Sequence, residues 1–237
     1  MSGREEDRRQ WTVELLLLTW TAGALDGLSY LSGHVFTANM TGNIVLLGLH
    51  SVRGEWEPSM RCLVALAAFA AGSAAGAVFS RADVPESQLR GNLVLAARIE
   101  FALVAAFCVL WVLQHGKPSE TLGIPNIVLA AVALGIQSVA VRRLQISGVV
   151  TTFITGAITS GMAGLVEGIR VRRSTGEWPP EIPDLGVLAS MLVTYLAAAA
   201  MAVYLADHRS TAAALLPIPS LAPVMFRRRS AGQSEQS

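Results

Sequence analysis

The sequence predicts an all-α integral membrane protein of about seven helices, making six to seven crossings. Three observations predict it. The 237 residues are 52% hydrophobic and 15% charged, with a mean hydropathy of +0.49, whereas soluble domains carry about 25% charged residues. The charges gather in short breaks between apolar runs, many of them near the roughly 20 residues that a bilayer crossing needs. Finally, the stretch from Gly23 to Gly48 is mostly apolar yet carries Asp26, Ser29, Tyr30, His34, Thr37, Asn39, Thr41 and Asn43. Polar groups inside apolar segments belong to the interior of a bundle, away from lipid.

Residues 1–12 read as a charged, solvated tail, with Trp11 where an interfacial aromatic belongs. The membrane domain runs over 13–207. Helix 1 is expected over 13–33, where Thr19, Gly23, Asp26 and Tyr30 share one face. Its start resembles a secretory leader, but the flanking charges are of mixed sign and the apolar run continues past Ala24. Helix 2, over 35–50, is short and polar in its first half. It reads equally as a full crossing, a broken helix or a re-entrant segment, because such segments survive at membrane depth only when buried in protein or lining a cavity. Helix 3 (60–80) carries a small-residue ridge, Ala68, Gly72, Gly76 and Ser80, that suits close helix packing or a homo-oligomer contact.

After a polar loop, helix 4 (92–113) holds Arg98 and Glu100. Helix 5 (124–141) ends near Gln137. Helix 6 (149–168) opens on Thr151, Thr152 and Thr155 and continues into a second ridge, Gly156, Ser160, Gly164 and Gly168. Helix 7 covers 185–206. Residues 208–237 read as a flexible tail, whose apolar piece, Thr211–Phe226, is too short and too rich in proline for another crossing.

An internal repeat is expected. VFTANMTGNIV from Val35 and VVTTFITGAIT from Val149 share the pattern V-x-T-x-x-x-T-G-x-I. Asp26 and Gln137 stand at related places upstream. This gives a 3+1+3 plan of parallel repeats, 13–81 and 124–206, linked by the helix at 92–113, with a site where the repeats meet. Lys and Arg divide almost evenly between the two sides, so the charge rule leaves the orientation open.

The formal net charge of +1 gives no reason to expect nucleic acid as a partner. Cys62 and Cys108 lie in separate apolar segments, and no Cys/His cluster suggests a metal or a disulfide framework. No nucleophile motif, zinc-protease motif or phosphate loop occurs, so neither an enzyme nor a cofactor is expected. The candidate site residues are Asp26, Tyr30, Asn39, Thr41, Asn43, Glu100, Gln137, Thr151, Thr152 and Thr155. Their side-chain oxygens suit a small polar solute or an ion near mid-membrane, with a carboxyl available for proton or cation coupling. The expected function is therefore a permease in the lipid bilayer. The alternative is a sensor or assembly factor in which the same groups hold helices together.

Three motifs carry a family resemblance: A-G-x-L-D-x-x-S-Y-L at Ala22–Leu31, F-T-A-N-M-T-G-N at Phe36–Asn43, and T-T-F-x-T-G at Thr151–Gly156. With them the chain resembles the YoaK-like family of bacterial multipass membrane proteins, from Trp11 to about Asp207. It departs from the pattern at Ser138, which follows Gln137 where the family implies Asn. The resemblance implies an inner (plasma) membrane protein of six or seven helices and supplies no mechanism.

Overall fold

The computed structural model describes residues 2–79, 86–114, 123–143, 154–176, 185–208 and 211–218. Among them the chain forms seven α-helices and no strand: α1 Ser2–Gly33, α2 Met40–Val52, α3 Trp56–Phe79, α4 Glu86–Leu113, α5 Gly123–Arg143, α6 Ile154–Thr175 and α7 Leu185–Asp207. α3, α4, α5 and α7 are long and apolar enough to cross a bilayer. α1 packs along α7 and also meets α5, so it passes through the same layer. The chain is a multipass membrane protein, as its composition predicts.

Small residues bring the helices close and also report their sense. A Cβ on Gly23 would lie 2.5 Å from the carbonyl oxygen of Tyr195, and one on Gly27 would lie 2.9 Å from that of Ala199. Four residues on in α1 therefore match four residues on in α7, and the two run parallel. Likewise Gly72 abuts Val132 and Gly76 abuts Ile136, so α3 and α5 run parallel. α1 and α5 run oppositely. Gln137, late in α5, donates to the Leu18 carbonyl at 3.1 Å, while Gly33, at the end of α1, approaches Ile127 near the start of α5.

These senses bear on helix 2 and on the repeat. α1 ends on the side where α3 begins, so α2 starts and finishes on that side and is re-entrant. α5 ends on the side where α7 begins, so α6 likewise makes no net crossing. Of the seven helices, α3, α4, α5 and α7 have the length and apolarity to cross a bilayer, and α1 packs along α7 among them. Parallel repeats would need α1 and α5 to share a sense, and their contacts forbid it. Apolar length alone suggested crossings; the packing of small residues decided which segments turn back.

The ends also differ from expectation. The charged N-terminal tail continues α1 as helix from Ser2. After α7, a 3-10 turn, Thr211–Leu215, buries Ala213 and Ala214. The Trp20 indole donates to the Leu216 carbonyl at 3.2 Å, and the Thr21 hydroxyl to that of Pro217. Small apolar side chains let this short segment tuck against α1, α4 and α7. In the α3 ridge, Gly72 and Gly76 face α5.

Candidate functional site

The re-entrant turn is built by residues of the F-T-A-N-M-T-G-N string. α1 ends at Gly33, and His34 takes a left-handed conformation (φ 54°) while its N–H caps the Tyr30 carbonyl at 2.9 Å. That turns the chain back along α1. Phe36 stacks on Tyr30 with ring centroids 5.1 Å apart, and His34 meets the same ring edge-on. The aromatic trio holds the reversal in place.

Asp26 receives the returning chain. It is buried, with 2% of its surface exposed. Its Oδ1 accepts from the backbone N–H groups of Thr37 and Ala38, both at 2.6 Å, and from the Thr37 hydroxyl at 3.2 Å. Its Oδ2 accepts from the Asn39 N–H at 3.2 Å and from the Tyr195 hydroxyl of α7. Five donors on two oxygens is the pattern of an ionised carboxylate. α2 then starts at Met40, and its positive dipole end faces the same carboxylate. Asp26 lies seven residues before the end of α1, so α2 begins about 10 Å inside the bundle.

The remaining string residues close the turn. The Asn39 side chain caps α2 by accepting from the Gly42 N–H at 3.2 Å. Gly42 leaves room for Phe36, whose ring a Cβ there would meet at 2.8 Å. Asn43 is fully buried and pairs with the Phe36 backbone as a strand neighbour would, accepting from its N–H at 2.8 Å and donating to its carbonyl at 2.6 Å. Irregular backbone at this depth is thereby satisfied without water.

Of the sequence candidates, Asp26, Tyr30, Asn39, Thr41 and Asn43 come together here. Asp26 and Asn43 face inward and are occupied by protein bonds. Asn39, Thr41 and Tyr30 are exposed. Gln137 lies elsewhere, on α5 against Leu18, and Glu100 is buried on α4 with 4% exposure. Thr151 and Thr152 lie outside the described residues, as does the Thr155 side chain. Tyr195 is the group that sequence reasoning missed. Its signal was a Thr-Tyr step in the middle of an otherwise Ala- and Leu-rich helix.

Four helices fit to cross a bilayer, a helix that turns back and a buried carboxylate at its start define a multipass membrane protein with a polar interior. The chain belongs to the family described as "Protein of unknown function (DUF1275)", whose profile matches residues 15–226. It is similar to the UPF0700 transmembrane protein YoaK of Bacillus subtilis (strain 168), with 36% identity over 148 residues. That match covers 62% of this chain and 63% of the relative. No solved structure matches it significantly.

Proposed function

We propose that the chain is a permease of the inner (plasma) membrane for a small polar solute or ion, and that solute enters along the exposed start of α2. One observation carries this reading: Asn39 and Thr41 are exposed on the first turn of a helix that begins about 10 Å inside the bundle. Polar side chains at that depth suit a water-filled cavity and are unsuited to lipid. Transporters place their sites at such broken helices, where one end of the helix points into the membrane. The opposite senses of α1 and α5 also suit an inverted pair of repeats, α1–α3 and α5–α7, about the linker α4. Catalysis, a cofactor and a nucleic-acid partner have no place in this reading.

The test begins with single cysteines at Asn39, Thr41 and Arg53 in a chain lacking Cys62 and Cys108. A membrane-impermeant thiol reagent should label all three from the face opposite the N-terminus. The reading fails if Arg53→Cys labels there and the other two label from neither face. Uptake of a broad metabolite mixture into proteoliposomes would then identify the solute, and Thr41→Val should slow it.

A second reading is favoured by the five donors on Asp26, which leave its oxygens committed to the fold. In it the polar residues hold a sensor or assembly factor together. Wild-type proteoliposomes that take up no solute, with Asp26→Asn only lowering stability, would support it.

A further inference from the structure

Glu100 is the buried carboxyl that the α2 turn does not use. It is 4% exposed, and its Oε1 has no hydrogen-bond partner. Among the described residues no cation pairs with it; Arg98, two residues away on α4, is exposed. Gln137 is 1% exposed and has the matching defect: its Nε2 donates to the Leu18 carbonyl, while its Oε1 is unpartnered.

The register of α4 and α5 puts these two groups in one layer. The Asn126 side chain donates to the Gln114 side chain at 3.1 Å, fixing the end of α4 beside the start of α5. Glu100 lies 14 residues back along α4, about 21 Å, and Gln137 lies 11 residues on along α5, about 16 Å. Their backbones therefore reach within roughly 5 Å of the same depth. Both stand on inward stripes. Glu100 falls between Ala96 and Val104, and Gln137 between Leu134 and Val141, all buried.

We propose that Glu100 and Gln137 form a proton-binding site between α4 and α5, separate from the Asp26 turn. An ionised carboxylate buried without a partner is strongly disfavoured and takes up a proton instead. The resulting O–H can donate to the Gln137 Oε1, so one proton supplies the donor that both side chains lack. A hard metal cation would ask for more oxygens than these two. The elements packed against α4 carry few other charges. Arg142 on α5 is exposed, and Arg143 follows it. On α1, Glu14 is half-buried and has a partner, Arg9 is exposed, and Asp26 is committed to α2. On α3, Arg61 pairs with Glu57 at the far end. The 3-10 turn carries none.

The test needs no solute, so it can fail without touching the permease reading. Infrared difference spectra of lipid-reconstituted protein, between mildly acidic and mildly alkaline pH, should show the C=O stretch of a protonated carboxyl. Glu100→Gln should remove that band, Gln137→Leu should shift it to higher wavenumber, and Asp26→Asn should leave it in place. If Glu100→Gln does not fold, Glu100→Asp should move the band. The proposal is overturned if no such band exists, if it survives Glu100→Gln, if neither Glu100→Asp nor Gln137→Leu moves it, or if sodium replaces the proton by abolishing it at constant pH.

Discussion

Asp26 and Glu100 are two buried carboxyls in one bundle, and their surroundings differ completely. Asp26 collects five donors from α7 and from the start of α2. The Glu100 Oε1 collects none. A carboxylate is stable in a low-dielectric interior only when donors replace its lost water. Asp26 therefore holds structure, because three of its donors are backbone N–H groups that a folded re-entrant turn must satisfy. Glu100 has an oxygen, Oε1, that no donor reaches, so the proposed protonation gives that carboxyl a state in which it can stay buried.

The largest effect that sharpens this contrast is expected from Asp26→Ala. It strands the buried N–H groups of Thr37 and Ala38 away from water, and should cost about 3–5 kcal/mol. Equilibrium unfolding in mixed micelles would measure it. A loss no greater than that of the equivalent change at Glu100 would erase the distinction between the two carboxyls.

Next comes Asn43→Leu, which keeps the volume and removes both bonds to the Phe36 backbone. The expected loss is about 2–3 kcal/mol, since a buried N–H and a buried carbonyl go unpaired. Faster proteolysis or hydrogen exchange confined to residues 34–45 would show that the turn has opened while the crossing helices stay packed.

Much of this was legible in the residues, and some of it could not be. The F-T-A-N-M-T-G-N string stood out as polar chemistry in an apolar run, and three of its residues, Thr37, Ala38 and Asn39, meet Asp26. Spacing alone could not say whether they bind a ligand or one another. Asn43 looked like a ligand and acts as a backbone partner, a role visible only once the chain has turned at His34. Helix existence followed from apolar length, but helix sense did not. Gly72 and Gly23 read alike in sequence, and only their contacts with Val132 and Tyr195 reveal which helices run together. With Lys and Arg evenly divided, no charge bias could supply the missing sign.

Tyr195→Phe is a finer probe of the Asp26 side. It removes one charge-assisted donor and leaves the three backbone N–H groups in place, so the expected cost is about 1.5 kcal/mol. Its effect should shrink sharply in an Asp26→Asn background, because the two groups act through one bond; a double-mutant cycle reads that coupling directly. Additive losses would mean that α7 steadies the turn through packing at Gly23 and Gly27 instead.

The smallest change in stability is expected at Glu100, whose Oε1 receives no donor from the fold. Glu100→Leu removes at most the one bond that the protonated carboxyl offers Gln137 and replaces it with apolar volume of similar size. Exchanging buried polar groups for well-packed apolar ones is often neutral or stabilising, so the unfolding free energy should change by less than about 1 kcal/mol. Together with the loss of the protonated-carboxyl band, that result separates a functional group from a structural one within the same bundle. A loss as large as that of Asp26→Ala would instead show that the Glu100 carboxyl holds the fold together, and would place both acids in the same class.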